Sequence, residues 1–65
     1  MIHHEAILVL CTAPNADVAA DLGKRLVDDK LAACVNVIPG LRSFFFWDGK
    51  VQDESEVQLL IKSRK

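Results

Sequence analysis

The stretch Ser43-Phe44-Phe45-Phe46-Trp47-Asp48-Gly49-Lys50-Val51 decides the fold. Successive side chains of a strand point to opposite faces, so four aromatic residues in a row put bulky rings on both. Asp48-Gly49 then supplies a two-residue turn, because both residue types tolerate the positive φ that a tight hairpin needs. A hairpin is predicted. Its returning strand carries Val57, Leu59 and Ile61 on one face and Gln58, Leu60 and Lys62 on the other. Asp53-Glu54-Ser55-Glu56 lies between turn and strand and reads as a polar, bulge-prone stretch.

Upstream, the strand entering the turn extends from about Cys34, with Val35, Val37 and Phe45 as strand formers. Pro39-Gly40 interrupts it. Proline cannot donate to a ladder, so a bulge, a bend or an edge position is implied. Before it, residues from about Ala16 to Lys30 have helical periodicity. Val18, Leu22 and Leu26 fall four apart, Ala19 and Val27 widen the stripe, and Asp17, Asp21, Lys24 and Asp28 line the opposite, solvated face. Asn15 is a natural N-cap. Pro14 biases Ala13 away from helix. The first strand, Glu5 to Thr12, is apolar without alternation from Ala6 to Cys11, which predicts burial on both faces.

The order is therefore β-α-β-β, an α+β arrangement built as a split βαβ, with the hairpin's return strand inserted between the other two and a right-handed crossover. One helix covers only part of one sheet face. Something outside these elements must cover the other, either further chain or another subunit.

Composition agrees. Sixty-five residues allow one domain, spanning 1–65, with residues 1–4 as a flexible tail. A chain this short buries only about 60% of the surface its unfolded form exposes, yet 51% of its residues are hydrophobic. That excess points to an obligate oligomer, with the hairpin from Phe44 to Val51 among the contacts. The apolar content excludes disorder. The longest apolar run, Ala6 to Cys11, is far below the roughly 20 residues of a membrane span, and Met1 to Glu5 lack the features of a signal peptide. A net charge of −1 gives no attraction to nucleic acid or anionic membrane. Phe44 to Trp47 beside Arg42 and Lys50 could stack single-stranded nucleic acid, but the acidic run Asp53 to Glu56 opposes this and favours packing.

Two cysteines without CxxC spacing make neither a disulfide scaffold nor a redox motif, and imply a cytoplasmic protein with reduced thiols. Cys11 ends the first strand and Cys34 begins the second, near opposite ends of the sheet, which argues against a disulfide. Thiolate is a soft ligand suited to Cu(I) and Zn, so Cys11 is the candidate metal ligand. A free cysteine also packs as a small hydrophobe, and Cys34 is assigned that role. Met1-Ile2-His3 could bind Cu(II) adventitiously through the amino group, two amides and the imidazole. No Ser-His-Asp, HExxH, P-loop or dinucleotide fingerprint occurs, and no catalytic residue is assigned.

The pair Cys11-Thr12, the stretch LAACVNVIPG (Leu31 to Gly40), the hairpin Phe46 to Lys50 and the closing VQLLIKSR (Val57 to Arg64) follow one another at spacings that resemble the CutA family of divalent-cation tolerance proteins. The resemblance runs from Leu8 to Arg64. It implies a ferredoxin-like β-α-β-β-α-β subunit in a tight homotrimer, cytoplasmic, without enzymatic activity, that binds copper or other divalent cations such as zinc. Family members continue with a second helix, a fourth strand and a C-terminal segment, so this chain resembles an N-terminal portion. The family's copper site is a cysteine at the end of the first strand, which maps to Cys11, with a histidine pair before a Pro-Tyr motif that lies beyond Lys65. His3 and His4 do not occupy that place. The alternative to a metal-homeostasis role is a trimeric scaffold or signalling module, similar to PII-type trimers, that binds a small molecule or protein partner with metal incidental.

Overall fold

The computed structural model describes residues 6–64. Four elements follow in order: β1 (Ala6–Ala13), α1 (Ala16–Asp28), β2 (Cys34–Trp47) and β3 (Lys50–Arg64). The sheet order is β1-β3-β2, with β3 antiparallel to both neighbours. β1 and β2 therefore run the same way, and parallel strands need a long crossover, which α1 provides. The return strand sits between the other two, as the β-α-β-β reading expects.

The turn matches its sequence signal. Asp48 and Gly49 have φ of 53° and 74°, the signs of a type I′ turn, and Trp47 pairs with Lys50 across it. The Gln52 side-chain amide donates to the Trp47 carbonyl at 3.2 Å. The interruption in β2 is a bulge. Pairing runs Ile38↔Gln58 and then Leu41↔Glu56, so Pro39 and Gly40 together oppose Val57. Gly40 has φ 87°. β2 is an edge strand of this sheet, where a proline is tolerated.

The acidic stretch is not irregular. Asp53, Glu54, Ser55 and Glu56 pair in register with Phe44, Ser43, Arg42 and Leu41, inside one unbroken 15-residue strand. The irregularity lies wholly in the partner strand. Polar residues are tolerated here because the two strands pass beyond the last β1 pair, Ala13↔Val57, and bury neither face. Residues 41–56 thus form a two-stranded arm, about 20 Å long at strand rise. The molecule measures 53 × 23 × 18 Å.

α1 starts where its cap dictates. Asn15 is extended, and its side-chain oxygen accepts from the Val18 amide at 2.8 Å, a bond worth about 1 kcal/mol. The helix ends at Asp28, two residues before the expected Lys30. Lys30 adopts φ 60°. Its amide donates to the Val27 carbonyl, and the Leu31 amide donates to the Leu26 carbonyl. This is a Schellman closure with lysine where glycine is usual.

α1 covers one sheet face. The core is Ala13, Ala19, Val57 and Leu59, with Cys11, Leu22, Val35 and Ile61 packed against it. Only small residues meet the sheet most closely, Ala19 and Gly23, and both are buried. Val18 and Val27 flank that line and stay exposed. The double burial expected for β1 is not met among the described residues. Leu8 and Leu10 are 60% and 63% exposed, because none of the four elements lies on the face away from α1.

Candidate metal site

Cys11 stands opposite Leu59 in the β1–β3 register. Leu59 is fully buried under α1, so Cys11 belongs to the helix-covered face and its thiol is half-buried against the core. The thiol lies 3.6 Å from the Thr12 carbonyl, its acceptor. The Cys11 carbonyl in turn accepts from the side-chain amide of Gln58 at 3.3 Å. Gln58, which the sequence placed only on the strand face opposite Leu59, thereby ties down the end of β1 at the candidate ligand.

Cys34 does not join it. Cys34 pairs with Lys62, three positions along β3 from Leu59, two strands away from Cys11 and on the opposite sheet face. Both thiols are free. Cys34 is exposed, contrary to the packing role expected of it, since it sits at the start of an edge strand on the uncovered face. A metal needs several donors, typically four for a thiolate-bound Zn. Among the described residues no group of three or more His, Cys, Asp and Glu side chains converges. Cys11 offers one soft donor and no more. His3, His4 and the tripeptide arrangement at Met1-Ile2-His3 lie outside the described residues.

The aromatic arm is the other prominent surface. Phe44, Phe46, Trp47 and Val51 are 64%, 72%, 70% and 69% exposed. Arg42 is held within the arm. Its guanidinium pairs with the Asp53 carboxylate through two nitrogens and lies 5.3 Å from the centroid of the Phe44 ring. Such an exposed ion pair contributes about 0–1 kcal/mol. Between α1 and β2 runs an open groove of about 690 Å³, floored by Gly23, Val27, Val35 and Val37 and edged by Lys24, Arg25 and Asp28. Among the described residues no helix is long and apolar enough to cross a membrane.

Comparison with known proteins places this architecture. Residues 7–65 match the family described as CutA1 divalent ion tolerance protein. The chain is 49% identical over 59 residues to the divalent-cation tolerance protein CutA of Pectobacterium atrosepticum, covering 91% of this chain and 54% of that protein. It superposes on the divalent cation tolerance protein Cut A1 of Thermus thermophilus with a TM-score of 0.86 and 44% identity, over 91% of this chain and 57% of the other. The structure titled periplasmic divalent cation tolerance protein CutA from Archaeoglobus fulgidus aligns with a TM-score of 0.88 and 39% identity, over 94% and 59%. The chain spans about half the length of the curated relatives it matches. With sequence match, strand order and hairpin all in agreement along nearly every residue, the chain belongs to the CutA1 divalent ion tolerance protein family.

Proposed function

We propose that this chain is part of a metal-binding protein of divalent-cation tolerance that takes up copper, with zinc as a secondary cation, and carries out no catalytic step. The observation that carries this reading is family membership across residues 7–65, joined to a free, half-buried thiol at Cys11 near the end of β1. A thiolate is a soft donor suited to Cu(I). In this reading Cys11 is one ligand and the remaining donors, a histidine pair before a Pro-Tyr motif, follow Lys65. The protein works as a homotrimer. An isolated two-stranded ribbon is marginal in water, and the arm exposes Phe44, Phe46 and Trp47, which a neighbouring subunit would cover. Two unpaired thiols suit the reducing cytoplasm, although the Archaeoglobus fulgidus relative carries the description periplasmic. Competition of the intact protein against a Cu(I) chelator, wild type beside Cys11→Ser, tests the metal reading. Equal affinity would end it.

A second reading has its own observation. The thiol of Cys11 faces the core under α1, and no donor cluster surrounds it among the described residues. On that reading the protein is a trimeric scaffold or signalling module, like PII-type trimers, that binds a small molecule or protein partner with metal incidental. The analogy rests on architecture alone. Unchanged assembly and unchanged ligand binding after full copper removal would favour it.

A further inference from the structure

Of the six aspartates in the chain, only Asp48 is followed by glycine. That pair has a chemistry the others largely lack. The backbone nitrogen after an aspartate can attack the side-chain carboxyl, and glycine, without a β-carbon, leaves this nitrogen unhindered. Here the Gly49 nitrogen would bond to Asp48 Cγ. One carboxyl oxygen leaves as water, taking the carboxyl proton and the amide proton, and a five-membered succinimide remains. Water then adds to one of the two ring carbonyls. Opening at Cγ restores aspartate. Opening at the backbone carbonyl gives isoaspartate, with the main chain running through Cβ and Cγ and a new free α-carboxyl. One water is lost and one regained, and nothing is oxidised. Asp48 and Gly49 are both exposed, and nothing lies within 4 Å of where a β-carbon on Gly49 would stand, so water has access to the ring.

The folded turn opposes the first step. Asp48 has φ 53°, in the left-handed region, where ψ is about +30 to +60°. About the Cα–C bond this sets the Gly49 nitrogen almost opposite the Asp48 β-carbon, whereas ring closure needs the two nearly eclipsed. An unfolded chain rotates freely between these arrangements. The turn is pinned against that rotation from both strands: Trp47 pairs with Lys50, and the Gln52 side-chain amide donates to the Trp47 carbonyl at 3.2 Å. We infer that Asp48-Gly49 is an isoaspartate-forming site that the folded turn keeps unreactive, so that the modification occurs only in chains whose arm has opened at the tip. The product then holds the tip open. Isoaspartate adds a carbon to the main chain of a two-residue turn, and the type I′ geometry that joins Trp47 to Lys50 no longer closes. A passing local opening is thereby made permanent.

The test is prolonged incubation of the intact protein at neutral pH, native and unfolded in guanidinium. Isoaspartate is counted by enzymatic methylation of the new α-carboxyl and located by peptide mass spectrometry. The unfolded chain should gain isoaspartate at residue 48 at least about tenfold faster than the native protein, because reaction in the latter waits on local opening. In unfolded Asp48→Glu, where closure would need a six-membered ring, the methylation should fall away. Native Gln52→Ala, which gives up the bond to the Trp47 carbonyl, should age about two- to tenfold faster than native wild type, while the two age alike when unfolded. Far-ultraviolet circular dichroism checks that Gln52→Ala is folded. Undiminished methylation in unfolded Asp48→Glu would place the reaction at another residue and overturn the site. Equal rates in native and unfolded wild type, or native Gln52→Ala ageing at the wild-type rate, would overturn control by the turn.

Discussion

Gly23 of α1 lies so close to Val35 of β2 that a β-carbon on it would stand 3.2 Å from Val35 Cγ1. This contact sets how near the helix can approach the sheet. Glycine inside a helix costs about 1 kcal/mol relative to alanine, and the close approach is what that cost secures. Gly23→Leu should destabilise by about 1–3 kcal/mol through overpacking. Gly23→Ala should be near neutral, since its gain in helix propensity is offset by the tight contact. Thermal melts of the two variants give the comparison, and an unchanged melt for Gly23→Leu would show that the helix simply rides outward.

The turn gives a second expectation. Gly49 sits at φ 74° with nothing within 4 Å of a built β-carbon, so only backbone strain opposes substitution there. Gly49→Val should cost roughly 1–2 kcal/mol and lower the melting temperature. Gly49→Asn should cost much less, because asparagine tolerates the left-handed region. Equal losses for the two would refute the type I′ assignment.

Lys30 offers the opposite sign. It holds φ 60° as the residue after the helix cap, a site that favours glycine. Lys30→Gly should stabilise by up to about 1 kcal/mol. A denaturant titration whose midpoint falls instead would mean the lysine side chain contributes more than its backbone costs.

At the candidate ligand, Cys11→Ser should weaken Cu(I) binding markedly, and it should also cost some stability because the residue packs against the core that holds Leu59 and Val57. Cys34→Ser should change neither, since Cys34 is exposed on the far face. Chelator competition and thermal melts on both variants separate the two effects. A copper loss in Cys34→Ser equal to that in Cys11→Ser would remove the special status of Cys11.

Among the described residues Leu59 is the one large side chain fully buried, in the central strand and under the helix. Leu59→Ala should destabilise by about 2–5 kcal/mol. In a chain this short such a loss should leave it largely unfolded, visible as lost circular dichroism. Retained structure would mean that assembly, not this core, carries most of the stability.

Local chemistry made much of this fold legible. Asn15 as cap, Asp48-Gly49 as turn and Pro39-Gly40 as interruption each have a backbone reason visible in the residue type itself. The helix end was hidden because the left-handed position holds Lys30, not glycine. The regular strand through Asp53–Glu56 was hidden because its side chains face solvent on both sides, so no hydrophobic alternation marks it. The face of Cys11 was hidden for the inverse reason. Ala6 to Cys11 is apolar at every position, and a run without alternation does not say which residues look toward the helix. Only the pairing Cys11↔Leu59 does. Gly23 carried no signal at all, since its role depends on a helix–strand distance.

The bulge at Pro39-Gly40 acts as a phase slip in β2. Up to Ile38, even-numbered residues share the sheet face that carries Gln58 and Lys62. From Leu41 onward the odd-numbered ones do, because Leu41 pairs with Glu56 and Phe45 with Gln52. Leu41, Phe45 and Trp47 therefore continue the uncovered face of the body, while Arg42, Phe44 and Phe46 turn to the side that holds α1. Removing one residue at Gly40 would leave Leu41 opposite Glu56 and every ring on the side it holds now, because the pairing with β3 and the turn at Asp48-Gly49 fix the register of the arm. The bulge thus absorbs one extra residue in β2, so that the arm stays in step with β3 and its faces continue those of the body although the numbering of β2 changes parity.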